Sequence, residues 1–268
     1  MDYLRKRTLM ALSIILMVSA SSFGIASYYI RFHNDAADTA VLKKGQLIAN
    51  TGRGGQPACV NCHGASGEGI RAVGAPRLAG LPIGYIEKQL QDFARNPLKM
   101  GVTLDPIAHD YNKTPRVQVD LTTLTPGVRQ RDVMNAVAAT LSTQEMHELA
   151  RYFNSLSYNF VALPSDPETL ERGADLALRG KPEYGVPACA SCHGVDGQGV
   201  GAQFPPIVGQ APEYIIQQLN LWQTGARDND HMALMRNIAE QLTDGDKINV
   251  AAYFANMSVS SAGEGNAP

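Results

Sequence analysis

Four cysteines are all that this 268-residue chain contains, and none lies outside two short phrases at 57–64 and 187–194. No cysteine is left for a distant structural disulfide, so the chain does not read as a secreted disulfide scaffold, which would spread its cysteines along its length. Charge of one sign is also missing. The formal net charge is −2, and no basic stripe runs beyond the first few residues, which argues against nucleic-acid binding. Alternating strand patterns are absent too. What remains is helical periodicity, which points to an all-α chain.

The two phrases are PACVNCHG and PACASCHG, and they sit inside a longer repeat. Upstream, LKKGQLIA (42–49) matches LERGADLA (170–177). Downstream, PRLAGLPIGYIEKQLQDF (76–93) matches PPIVGQAPEYIIQQLNLW (205–222). Farther on, MNAVAATLSTQEMHELARYF (134–153) matches MRNIAEQLTDGDKINVAAYF (235–254). The order is kept, so the chain is an internal duplication of two domains of ordinary size. The first domain is expected over 41–160 and the second over 169–259. The linker at 161–168 carries two prolines, which discourage helix. A second linker covers 32–40, and the small, polar tail 260–268 is expected to be disordered. Helices are predicted at Leu42–Asn50, Ile83–Ala94, Pro167–Leu178 and Pro212–Gln223. Two more are predicted after Ser142 and Thr243, each followed three residues later by an acid in the capping-box form.

The N-terminus is of another kind. Arg5, Lys6 and Arg7 precede a stretch from Thr8 to Ile30 with no charge. As a helix, those residues would reach about 34 Å, enough for a hydrocarbon core of about 30 Å. Residues 1–31 are therefore expected to form a transmembrane signal-anchor with its N-terminus in the cytoplasm. The alternative is a cleaved signal peptide, with Leu9–Val18 as its apolar region and Val18-Ser19-Ala20 as its cleavage site. On either reading, the two domains are exported.

CxxCH is the attachment signature of c-type haem. Cys59 with Cys62, and Cys189 with Cys192, can each bond the two vinyl groups of one porphyrin. The next residue, His63 or His193, then supplies an imidazole to the iron. A zinc site needs four ligands, and each phrase offers at most three. A thioredoxin-like redox pair would sit in an α/β pattern. The sixth ligand decides between electron transfer and catalysis, and Met with His is the ligand set of electron-carrying c cytochromes. Met134 lies seven residues before Leu141, and Met235 lies seven before Leu242. These are the methionines that correspond across the repeat. Met100 and Met232 are the rivals, and core packing is the other fate of such a residue. His33, His109, His147 and His231 have no counterparts and read as surface or loop residues. Pro76 and Pro205 correspond, and a backbone carbonyl there could accept the second ring N–H of the haem histidine. Tyr85 and Tyr214 correspond as well and could pack on haem or in the core. Arg77 has no counterpart, which weakens a general haem-propionate role for it.

Together these motifs resemble the cytochrome c4 family of diheme c-type cytochromes, over about residues 40–258. The resemblance rests on both CxxCH units, the PRLAG and PIVGQ segments, the Y-I-x-x-Q-L helices, and Met-x6-Leu before a last helix ending in YF. It implies two tandem class I cytochrome c domains packed face to face. It also implies two covalent haems with iron ligands His63/Met134 and His193/Met235. Its implied role is electron transfer in the periplasm, from a quinol-oxidising cytochrome bc complex toward a haem–copper oxidase at the inner membrane. Two alternatives stand beside it. One is the cytochrome subunit of a dehydrogenase complex. The other is a diheme enzyme, a peroxidase or thiosulfate-oxidising cytochrome, with one open haem. The chain departs from the family in its anchor and in the first domain. There, His63 to Met134 spans 71 positions against 42 for His193 to Met235. The extra residues form an insertion at about 96–130 with no clear periodicity, a length that often marks a functional loop.

Overall fold

The computed structural model describes residues 38–95 and 132–257. The expected membrane helix, the insertion and the tail lie outside these residues. Among the described residues, no helix is long and apolar enough to cross a membrane. All regular elements described are helical, and strand-like pairing is confined to three isolated bridges. In the first half, α1 covers 38–51, α2 Val60–His63, α3 Ile83–Ala94, α4 Asp132–Ala139 and α5 Thr143–Ser155. The second half repeats the order with α6 Pro167–Arg179, α7 Ala190–His193, α8 Pro212–Gln223, α9 Leu234–Glu240 and α10 Asp244–Asn256.

Local chemistry sets the helix starts. Ser142 Oγ accepts from Glu145 N (3.2 Å), while Glu145 Oε2 accepts from Ser142 N (2.8 Å), closing the capping box of α5. Thr243 and Asp246 do the same for α10. Asp166 caps α6 just ahead of Pro167, whose missing N–H costs nothing at a first helical position. Each such cap contributes about 1 kcal/mol.

Each half has its own core. In α3, Ile86, Leu90 and Phe93 form one stripe and share a cluster with Leu149 and Phe153 of α5. In α8, Ile215, Leu219 and Trp222 repeat the stripe and share a cluster with Val250 and Phe254 of α10. The two clusters have no residue in common. Matching glycines set the closeness of the outer helices. A Cβ on Gly45 of α1 would lie 2.0 Å from the Glu148 carbonyl oxygen of α5, and one on Gly173 of α6 would lie 2.1 Å from that of Asn249 in α10.

The halves meet with equivalent elements in reversed order, as in a two-fold dimer contact. The 3-10 turn at Arg71–Val73 faces the start of α8, where Arg71 Nε donates to Glu213 Oε2 (3.0 Å). On the other side, Ala202 stands against Gly84, the repeat counterpart of Glu213. Between these edges the interface is polar and buried. Arg77, 3% exposed, donates to the carbonyls of Ala79 and, at 3.0 Å, Val208. Its backbone N donates to Gln210 Oε1 (2.8 Å), and its guanidinium lies 3.9 Å over the ring of Tyr158, just after α5. Nearby, Gln89 and Asp92 of α3 meet Arg227 and Asn229 of the α8–α9 loop. Burying so many polar groups is tolerable only because they bond one another.

Candidate metal centres

Each CxxCH phrase forms a single helical turn. His63 N donates to Cys59 O (2.9 Å), and His193 N to Cys189 O (2.9 Å). Positions three apart on such a turn share a face, so each cysteine pair faces one way while the histidine follows beneath. The glycine after each histidine, Gly64 or Gly194, ends the turn at positive φ.

The histidines are buried, at 7% and 8% exposed. His63 Nδ1 lies 2.9 Å from Pro76 O, and His193 Nδ1 lies 2.8 Å from Pro205 O. A carbonyl only accepts, so Nδ1 must carry the proton and Nε2 the basic lone pair that a metal takes. For His193, burial lowers the pKa; the Pro205 bond opposes this, and the Arg227 cation adds to it, so the ring is held below its usual value. Neutral imidazole is the ligating form.

The proline carbonyls are held in turn. Gly69 N donates to His63 O, and Gly199 N to His193 O, both at 2.7 Å. These glycines sit at φ +87° and +81°, against the proline peptides. A Cβ on Gly69 would lie 2.7 Å from Arg77 N and 2.8 Å from Pro76 C. One on Gly199 would lie 2.5 Å from Phe204 O and 2.7 Å from Pro205 C. Leu78 and Ala79 N also bond Gly67 O, as Ile207 and Val208 N bond Gly197 O. The same frame is built twice.

One cavity of about 1190 Å³ runs through both halves. It is larger than a pocket for one small ligand, about 300–1,000 Å³. All twelve residues singled out from the sequence line it: Cys59, Cys62, His63, Pro76, Tyr85 and Met134 from the first half, and Cys189, Cys192, His193, Pro205, Tyr214 and Met235 from the second. Met134 and Met235 are half-buried against their cores. Met232 also reaches the cavity but is 83% exposed. Met100, His33 and His109 lie outside the described residues. His147 sits at the surface, with Nδ1 2.6 Å from Glu87 Oε1. Burial pushes the Cys59 and Cys189 thiols up to about 11. A redox-active pair needs a depressed thiol, whereas a sulfur destined for a thioether does not. Apolar walls, paired sulfurs and a neutral, oriented imidazole all fit a c-type haem in each half.

Sequence reasoning missed the polar groups between the sites. Gln89, Arg227 and Asn229 line the cavity, and all three are buried. Arg77 fastens the two halves to each other. Around these groups the repeat departs from itself: Arg77, Lys88 and Asp92 face Pro206, Gln217 and Leu221 in the aligned segment.

Comparison with known proteins agrees with this geometry. The Cytochrome c family matches residues 177–258. The "Thiosulfate dehydrogenase electron acceptor" of Stutzerimonas stutzeri is 36% identical, over 90% of this chain and 96% of that one. Cytochrome c4 of Azotobacter vinelandii is 31% identical, over 78% and 89%. Among solved structures, reduced cytochrome c4 from Pseudomonas stutzeri matches with a TM-score of 0.63 and 28% identity, over 81% of this chain and 98% of that one. Thiosulfate dehydrogenase from Marichromatium purpuratum matches with a TM-score of 0.65 and 32% identity, over 85% of this chain but 42% of that longer one.

Proposed function

This chain belongs to the c4-type diheme c-type cytochromes, and we propose from that membership that it accepts electrons from a periplasmic thiosulfate-oxidising dehydrogenase and passes them to a membrane oxidase. The family carries two covalent c-type haems and works by electron transfer. The observation that carries the choice of donor is the end-to-end similarity to the Stutzerimonas stutzeri electron acceptor.

The haem irons supply a one-electron couple when bound. Cys59 and Cys62, and Cys189 and Cys192, would hold them. His63 with Met134, and His193 with Met235, are the proposed ligand pairs. The half-buried position of Met235 against the second core favours it over Met232, which is 83% exposed. With a histidine and a methionine available to each, the irons would be suited to exchanging electrons rather than binding substrate. Residues 1–31 tether the domains to the periplasmic face of the inner membrane, which raises the effective concentration near membrane partners.

Charge supports two different docking ends. Residues 38–160 hold 13 Lys and Arg against 10 Asp and Glu, whereas residues 161–268 hold 6 against 13. Such asymmetry steers partners of opposite charge to opposite ends. A second reading keeps the same carrier but takes its electrons from a quinol-oxidising cytochrome bc complex. Similarity to cytochrome c4 favours it.

Anaerobic reduction of the oxidised protein separates the readings. Thiosulfate together with a thiosulfate dehydrogenase should reduce both haems, and thiosulfate alone should not. Reduction by thiosulfate alone would make the chain an enzyme. Reduction only by a quinol-oxidising bc complex would leave the second reading.

A further inference from the structure

The loop between α8 and α9 leads directly to Met235, and the other domain grips it. Asn229 in that loop is 5% exposed. Its side-chain amide donates to Asp92 Oδ2 (2.7 Å) and Gln89 Oε1 (3.0 Å), both on α3 of the first half. Its backbone carbonyl accepts from Lys88 Nζ at 2.6 Å. Lys88 and Asp92 bond each other at 2.6 Å, one turn apart on α3. The loop residue is thus held by both its side chain and its main chain.

The next residue transmits that hold. Asp230 Oδ2 accepts from the backbone N of Met235 (2.6 Å) and of Arg236 (3.2 Å). Between Asp230 and Met235 the chain passes through Met232 and Ala233, at φ +60° and +53°. L-residues enter this region only at a cost, and they stay there only where the surroundings determine them. The clamp on Asn229 lies on the N-terminal side of this strained pair, and the bonds of Asp230 reach across it to Met235 and Arg236.

We propose that Lys88 and Asp92 of the first domain are positioning residues for the Met235 thioether, acting through Asn229 and Asp230. The inference rests on Met235 as the second iron's ligand. Among the described residues the charged pair stands on one side only. The equivalents of Lys88 and Asp92 on α8 are Gln217 and Leu221, and neither carries a charge. Two iron sites built on one repeat are thereby made unequal: the ligand loop of the second depends on contact with the first domain. Outer-shell partners of this kind change ligand affinity about tenfold or more when removed.

The test uses the complete diheme chain. Met235→Ala, Asp92→Ala, Asn229→Ala and Arg71→Ala are compared with the parent. The readouts are the weak red absorption band of ferric haem bound by methionine and the binding of imidazole per iron. Met235→Ala is expected to remove half of the band and open one iron. Asp92→Ala and Asn229→Ala are expected to keep the haem content and helical circular dichroism. They should weaken the band and tighten imidazole binding about tenfold, at one iron only. To identify that iron, Asp92→Ala is repeated in a Met134→Ala background, where the remaining band belongs to the second haem and should fall. Arg71→Ala cuts only the exposed bridge to Glu213 and should leave band and affinity at parental values. If Met235→Ala opens an iron while Asp92→Ala and Asn229→Ala do not, the positioning role is wrong and the ligand reading stands. If Met235→Ala leaves the band whole, both fall. Equal loosening by Arg71→Ala would also overturn the proposal, since any weakening of the domain contact would then suffice. Asn229→Ala trims the clamp from the loop side, so the test survives failure of Asp92→Ala to fold.

Discussion

Replacing Gly199 by alanine should raise the reduction potential of the second haem alone. The glycine sits at φ +81° against the proline peptide that orients His193. A Cβ there would lie 2.5 Å from Phe204 O, 2.6 Å from Pro206 N and 2.7 Å from Pro205 C. Ordinary contact begins near 3.4 Å, so the peptide must shift by about 0.7 Å from the nearest carbon. Gly199 cannot withdraw instead, because its N–H bonds His193 O at 2.7 Å. A shift of that size is enough to stretch or break the 2.8 Å bond from His193 Nδ1 to Pro205 O. Such a bond contributes about 1 kcal/mol. It also makes the imidazole a more basic ligand, which favours the oxidised iron. For a one-electron couple, 59 mV is a factor of ten, so losing the whole bond corresponds to about 40 mV. The expected rise is about 20–40 mV. Stability should fall by about 2–3 kcal/mol, from the lost bond plus about 1–2 kcal/mol for an L-residue in the left-handed region. Potentiometric titration resolved by haem is the assay, with Gly69→Ala as the mirror experiment on the first haem. A folded Gly199→Ala protein with an unchanged or lower second potential would refute the reasoning. So would an equal shift at both haems.

Three more predictions can be checked on the same chain. Met134→Ala should open one iron to imidazole and leave the other closed; two closed irons in that variant would remove Met134 as a ligand. Gly173→Ala should destabilise the second domain by about 1–3 kcal/mol. Alanine is better than glycine in an open helix by about 1 kcal/mol, but here its Cβ would overlap the Asn249 carbonyl. Denaturant unfolding followed through Trp222, the single tryptophan, reads this domain, and a stabilised variant would contradict the close crossing of α6 and α10. Finally, burial tends to raise the Asp246 carboxyl, but bonds from Lys181 and Thr243 outweigh it and hold the group below the usual carboxylate range. Its stabilising contribution is therefore present above the unfolded value of about 3.9 and lost as pH falls through the lower folded value. Second-domain stability should decline below about pH 4, and Asp246→Asn should flatten that decline.

Legibility followed symmetry. The two halves, the helices at Ile83–Ala94 and Pro212–Gln223, and the caps at Ser142 and Thr243 were all visible, because each signal occurs twice at matching positions. The same doubling pointed to the proline carbonyls. Gly69 and Gly199 could have been found in this way, since each lies six residues after its histidine. They went unnoticed because the loops hold other glycines, and only the fold shows which one backs the proline peptide. A search for counterparts is blind to residues that serve the contact between halves. Arg77 faces Pro206, Asp92 faces Leu221, and Lys88 faces Gln217. In an interface between unequal partners, each side must differ from the other, so the useful signal there was mismatch.

The composition of that interface bears on how a relay would keep its geometry. The surface pair between Arg71 and Glu213 is about half exposed on both sides, and such pairs contribute roughly 0–1 kcal/mol. The inner groups behave differently. Arg77, Asp92, Gln210, Arg227 and Asn229 are each no more than 7% exposed. Any sliding of one domain on the other would leave buried donors and acceptors unmatched, at about 1–3 kcal/mol for each. An apolar contact of the same size could slide with little penalty, because the hydrophobic effect has no direction. Hydrogen bonds do have direction, so this interface favours one orientation of the domains over its neighbours. The tether between the domains adds to this, since the ring of Tyr158 lies under the Arg77 guanidinium and its hydroxyl lies against Gly209. The duplication thus supplies two equivalent sites, and the mismatched residues between them hold those sites in one fixed relation.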